Sequence, residues 1–259
     1  MRTIWRLVWI TFLLAIFAMP RASAQKPDGC AALPDPSQLK ATLTAVVKEG
    51  AGANSGLGNQ EWAAFVNRDG IVCAIVFSGP DRGSQWPGSR VIAAVKASTA
   101  NAFSTSNYAL STANLYAPAQ PGGSLYGIVS PPNAAITTSG DPASFGQAND
   151  PMVGKAIGGV IVFGGGLALY DNKGKIIGGL GISGDTACAD HVVAWKTRHA
   201  LKLDSVPLGA APGPSDNMIL DISNGVSASG YGHVTCKGGQ PPDDIVKSLN
   251  NKIPVGAKR

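Results

Sequence analysis

Charged side chains are scarce in this sequence, at 14% of 259 residues, and aromatic ones make up only 7%. The 21 lysines and arginines barely exceed the 16 acidic residues once Arg2, Arg6 and Arg21 near the start are set aside, leaving a balance of about +2. No basic stripe interleaved with aromatics occurs, so the electrostatic footprint of a nucleic-acid binder is missing. Histidine is rarer still, with only His191, His199 and His233. There is no His-Glu-x-x-His, no serine nucleophile elbow and no P-loop, which removes three large enzyme classes. No apolar run of membrane length follows the N-terminal segment, so no membrane span is expected beyond it.

The N-terminal segment itself reads as a leader. Arg2 and Arg6 precede an apolar run from Leu7 to Met19, Pro20 breaks it, and Ala22-Ser23-Ala24 supplies the small residues of a cleavage site. The run is short for a bilayer-spanning helix. Residues 1–24 are therefore expected to be a signal peptide, and the destination periplasmic or secreted. All four cysteines, Cys30, Cys73, Cys188 and Cys236, lie beyond it. An even number in an oxidising compartment reads as two disulfides with three possible pairings. The wide gaps disfavour a four-cysteine zinc site. The preferred pairing, Cys30–Cys73 with Cys188–Cys236, ties an N-terminal arm and a C-terminal tail to the middle of the chain.

Apolar periodicity predicts helices over 36–49, 89–104 and 185–201. Two strands around Asn67-Arg68-Asp69-Gly70 make a hairpin, and three short strands fill 158–184, with turns at Gly164-Gly165-Gly166 and Asn172-Lys173-Gly174. Between the two groups runs an irregular excursion, with a short helix expected at STANLYAP. A strand over Met218–Ile222 and a weak helix over 243–250 are expected in the tail. Ser89 reads as a helix cap at an N-terminus able to take an anion. Strands joined by hairpins are not parallel neighbours. The expectation is an α+β fold with a five-stranded, mainly antiparallel sheet and packed helices.

Gly179 to Gly184 spells G-x-G-x-x-G between a strand and a helix, with Asp204 twenty residues on, which matches a dinucleotide fingerprint. The strand belongs to a hairpin and the motif comes late in the chain, so that reading is set aside. Gly178, Gly179 and Gly181 instead read as places where a helix, a partner or a flat ligand approaches the backbone. Asp185 or Thr186 would cap the following helix, and Asp185 and Asp190 suit its positive end. Cys188, His191 and Trp195 fall on one helical stripe that His199 continues. A Cys–His catalytic pair is imaginable, but a cysteine in a disulfide has no thiolate. His191 and His199 are about 12 Å apart along a helix and cannot share a metal. A Cys188–Cys236 bond would bring His191 toward His233. Structural roles are weighed against ligand or metal roles for His191, His233, Asp190 and His199; no catalytic residue is assigned.

QWPGSRVIAAVKASTANAFS, VIVFGGGLALYDNKGKIIGGLGISGDT and the Ala-Asp-His of the last strong helix resemble the HbpS/GlcG-like family of haem-binding uptake proteins. That family includes the C-terminal domain of some cobalamin adenosyltransferases. The resemblance covers roughly Pro36 to Leu203. It implies a profilin-like sandwich, homo-oligomers and, in some members, binding of haem, a related tetrapyrrole or iron. The expected layout is a signal peptide at 1–24, the family domain at 25–204 with its excursion at about 118–158, and an extension at 205–259. The leader, paired cysteines, long excursion and C-terminal arm mark an exported variant. The reading is a small-molecule-binding protein. The alternatives are an enzyme or accessory subunit acting on a small organic acid or aromatic compound, and an oligomeric scaffold for a sensor or transporter.

Overall fold

A computed structural model of the chain describes residues 27–213, 215–237 and 243–256. The expected signal peptide at 1–24 lies outside the described residues. Among them no helix is long and apolar enough to cross a membrane.

Pro36 at the first helical position, preceded by Asp35 whose N–H donates to Gln38 Oε1 at 3.1 Å, starts α1 (Pro36–Val47). One turn, α2 (Ala51–Asn54), follows. β1 (Trp62–Asn67) and β2 (Val72–Phe77) form the first hairpin. Its turn is held by Asn67 Oδ1, which accepts from the N–H groups of Asp69 and Ile71 at 3.0 and 2.9 Å. Gly70 takes the left-handed conformation there, φ +77°. α3 (Ser89–Ala102) comes next, then the excursion, which carries a 3₁₀ turn at Thr112–Leu115, α4 (Tyr116–Ala119) and α5 (Ala134–Thr137). β3 (Gly166–Tyr170) and β4 (Ile176–Ser183) make the second hairpin, closed by Asp171 in the same way as Asn67 closes the first. α6 (Ala187–Ala200) completes the domain. In the tail lie β5 (Ile222–Ser223), β6 (Val226–Ser227) and α7 (Asp243–Lys252).

The main sheet runs β2-β1-β4-β3, antiparallel throughout. Alternation along β1 divides the core in two. Trp62, Ala64 and Val66 face the alanine side of α3, where Ala93, Ala94 and Ala97 pack. Ala63 and Phe65 face the opposite way, onto Leu39 and Leu43 of α1 and Val192 and Val193 of α6. The sheet is thus covered on both faces.

The sheet has four strands, not the five expected, with a separate two-stranded ribbon of β5 and β6. Val160–Phe163 was expected as the fifth strand. Its only pairing is a single bridge from Val160 to Ser130 in the excursion, and Val162 buries against Leu115 and Ala119. Its apolar alternation serves a satellite cluster, not a sheet. Met218–Ile222 also differs from expectation: only Ile222 joins a ladder, while Met218 turns into the core beside α6. Ser89 is not a cap, since Gly88 occupies that position without a side-chain hydrogen bond.

Candidate ligand-binding site

The two expected disulfides are formed, Cys30–Cys73 with Cα atoms 5.7 Å apart and Cys188–Cys236 with Cα atoms 6.0 Å apart. The first ties the N-terminal arm to β2 and the second ties the tail to the first turn of α6.

Gly178, Gly179 and Gly181 lie on β4. A Cβ at Gly181 would fall onto the Ala93 carbonyl, one at Gly179 onto the Ala97 carbonyl, and one at Gly178 onto the Val66 carbonyl of the neighbouring strand. Close approach at these glycines is therefore taken up by α3 and by β1, leaving no room for a flat ligand against this backbone. The glycine strand and the alanine helix are two halves of one packing solution.

The turn from β4 into α6 is a polar centre. Thr186 caps the helix, its Oγ1 accepting from Ala189 N–H at 3.3 Å. Asp185 reaches back across the chain and accepts from the N–H groups of Leu57 and Asn59 at 2.8 and 2.9 Å. Asp190 does more than sit near the helix dipole. Its Oδ2 lies 2.6 Å from Lys96 Nζ, and its Oδ1 accepts from Gly184 and Asp185 N–H at 3.1 and 2.9 Å. Lys96 also donates to the Ile182 carbonyl at 3.0 Å and sits 5.2 Å from the Phe163 ring. Burial, opposed by Lys96, moves the Asp190 carboxyl up to about 6. Glu61 is buried nearby, and burial followed by repulsion from Asp190 and Asp185 pushes its carboxyl well above the usual range. Its Oε2 finds no hydrogen-bond partner.

Each histidine has its own set of contacts. His191 is fully buried; its Nε2 lies 3.1 Å from Met218 N and 3.2 Å from Asn217 Oδ1, and its Nδ1 has no partner. Burial lowers its pKa to about 3. His233 donates from Nδ1 to the Val234 carbonyl at 2.7 Å, and its Nε2 faces Gly164 N–H at 3.4 Å. Burial lowers it to about 4. Both rings are therefore neutral at physiological pH. His199 stands on the outer part of α6 with Nδ1 2.5 Å from Asp204 Oδ2. Among the described residues, the one group of three potential metal ligands is Cys188, His233 and Cys236, within 4.8 Å of one another. Both sulfurs are spent on each other, so this group offers a metal one imidazole and no thiolate.

A wide opening lies beside these residues. A cleft of about 800 Å³, within the range of small-molecule sites, runs between α4 with its following turn and the β5–β6 ribbon. Tyr116, Pro118, Val226, Tyr231 and Val234 line it. Val226 is 69% exposed and Tyr231 and Val234 over a third, so apolar surface faces open space there. The walls are joined by a hydrogen bond from Ala117 N–H to the Gly232 carbonyl at 3.1 Å. The His233 ring packs against Tyr116 at a tilt of 50°, with ring centres 5.0 Å apart. Sequence reasoning did not find the two tyrosines, because the cleft is made by segments a hundred residues apart and neither carries a motif.

The family model described as haem degrading protein HbpS-like matches residues 58–198, more than half of the chain. Among solved structures, protein ORFY of Klebsiella pneumoniae is 22% identical, with 65% of this chain and 90% of that chain covered at a TM-score of 0.42. A PduOC–haem complex is 28% identical, with 64% and 94% covered and a TM-score of 0.42. No curated protein matches the chain.

Proposed function

The chain belongs to the HbpS-like family, and from that premise we propose that it is a binding protein for haem or a related tetrapyrrole. The match to a family described by haem carries the reading, and the cleft between α4 and the β5–β6 ribbon is its proposed place. Its walls fit such a cargo in part. Pro118, Val226 and Val234 offer apolar contact to a flat macrocycle, and Tyr116 and Tyr231 offer phenol oxygens, a known class of haem-iron ligand. For carboxylates the lining supplies Gln120, Ser124 and Ser227 but no cation. His233 packs against Tyr116 instead of lining the cleft. His191, Asp190 and His199 hold the frame, and iron without a macrocycle finds no ligand set at the disulfide-bound cysteines. Export is part of the reading, supported by the leader-like residues 1–24 and by two disulfides that an oxidising compartment would maintain. A homo-oligomer is also proposed, and native mass spectrometry of the exported fraction would report assembly and cargo together.

Haemin titrated into the purified protein is expected to give a saturable Soret shift. Tyr231→Phe or Tyr116→Phe should move the band position if either phenol reaches the iron, and Val234→Glu should weaken binding. A spectrum unchanged from free haemin at micromolar protein would end the proposal.

A further inference from the structure

A second cavity, of about 460 Å³, opens where the excursion closes over the start of α3. Its walls are almost wholly apolar. Trp62 from β1, Val91 from α3, and Pro142 and Phe145 from the excursion line it. Two arginines break this apolar surface. Arg90 is buried in the wall, 3.6 Å above the Phe145 ring. It gives Nε to Asp150 Oδ2 at 2.8 Å, Nη2 to Asp150 Oδ1 at 2.5 Å and Nη1 to the Thr137 carbonyl at 3.2 Å. Three of its five N–H donors are thereby used and two remain. Arg82, by contrast, is exposed among the lining residues and makes no ion pair among the described residues. Asp150 is matched by Arg90, and the lining itself contains no carboxylate.

An apolar chamber with an exposed cation at its rim selects an amphiphilic anion. The aromatic walls favour a flat body, for which the volume leaves room; the arginine favours a carboxylate, which a guanidinium binds through two parallel hydrogen bonds. The chamber shares no lining residue with the tyrosine cleft. We propose that this cavity is a binding site for a small aromatic carboxylate, whose ring lies among Trp62, Val91 and Phe145 and whose carboxylate meets Arg82. The Arg90–Asp150 pair fixes the wall: it joins α3 to the excursion and holds Phe145 in place under the guanidinium. This assignment stands independently of haem binding.

The test is calorimetric titration of the whole mature protein with benzoate, and with benzyl alcohol as a neutral ligand of the same shape. Benzoate is expected to saturate and to bind at least about tenfold more tightly than the alcohol, the difference a charge-assisted hydrogen bond supplies. Arg82→Gln should remove that preference while leaving the alcohol's weak binding in place. Val91→Trp, which fills the chamber, should abolish both while the haemin titration of the same variant is unchanged. Equal binding of the two ligands, no binding of benzoate at millimolar concentration, or benzoate binding unaffected by both substitutions in protein with native circular dichroism would each overturn the proposal.

Discussion

Lys96 Nζ lies 2.6 Å from Asp190 Oδ2, and neither side chain is more than 3% exposed. The pair joins the middle of α3 to the first turn of α6 past the end of β4, so one ion pair ties together the helices on opposite faces of the sheet. Its worth lies in being complete, since an unpaired charge at this depth has no water to turn to.

Removing one partner, by Lys96→Met or by Asp190→Leu, is therefore expected to destabilise the protein by about 3–5 kcal/mol. The double substitution should recover part of that loss, because no charge is then stranded. Urea unfolding at pH 7 measures all three, and a double variant as unstable as the sum of the singles would contradict the argument.

The buried titratable groups pull stability in opposite directions as pH changes. His191 and His233 have folded-state pKa values depressed to about 3 and about 4 by burial. Their contribution is fully present above the unfolded value of about 6.5 and is lost as pH falls through the folded values. Each costs up to about 1.4 kcal/mol per pH unit in that window. Glu61 works in the opposite sense. Its folded pKa is raised by burial, so its contribution is present at low pH and is lost as pH rises through the folded value. Asp190, raised to about 6, acts in the same sense as Glu61, so between about pH 4 and pH 6 the two carboxyls largely offset the two histidines. His191→Gln removes one of the opposing contributions, so thermal midpoints measured from pH 4 to pH 8 should rise less steeply, or fall more steeply, with pH in the variant than in the parent below about pH 6.5, and an identical profile would count against the buried neutral imidazole.

The fit of α3 onto β4 predicts a sharp position dependence for glycine substitution. Gly181→Ala places a methyl on the Ala93 carbonyl and forces the helix off the sheet. A loss of about 2 kcal/mol or more is expected, as for other overpacked cores. Gly52→Ala, in a short surface helix with open space around the added Cβ, should be neutral or slightly stabilising. Differential scanning calorimetry of the two variants decides it; similar midpoints would mean that α3 yields.

Each disulfide closes a long loop, with 43 residues of separation in one and 48 in the other. Replacing either pair by serines should cost about 4 kcal/mol by the chain-entropy relation. Cys188–Cys236 carries a further consequence, because its sulfurs sit against Met218 and the His233 ring. Its loss should free the tail, which limited proteolysis reports as cleavage between β6 and α7. A tail that stays protected without the bond would show that Val246 and Leu249 suffice to hold it.

Helix periodicity placed α1, α3 and α6 to within a few residues, since apolar spacing along a single helix is a local property. The disulfide pairing was legible for a related reason: the cysteines flank the terminal segments that need anchoring. The family was legible in the sequence of β3, β4 and the start of α6. Val160–Phe163 misled because burial against an excursion and burial in a sheet leave the same apolar alternation. The role of Asp190 was hidden in another way. A helix-dipole account was adequate for the residue alone, while its partner Lys96 lies 94 positions away on an alanine-rich helix.

Local rules of the chain by themselves determined the hairpin turns, the three long helices and the glycines where something had to come close, and they favoured, without fixing, the sulfur pairs. Only the tertiary structure decided what came close, namely α3, and which polar groups met in the interior. It also decided that Tyr116 and Tyr231 share one cleft while Arg82 and Phe145 share another. Those meetings depend on distances between segments remote in sequence, and side-chain periodicity carries no information about them.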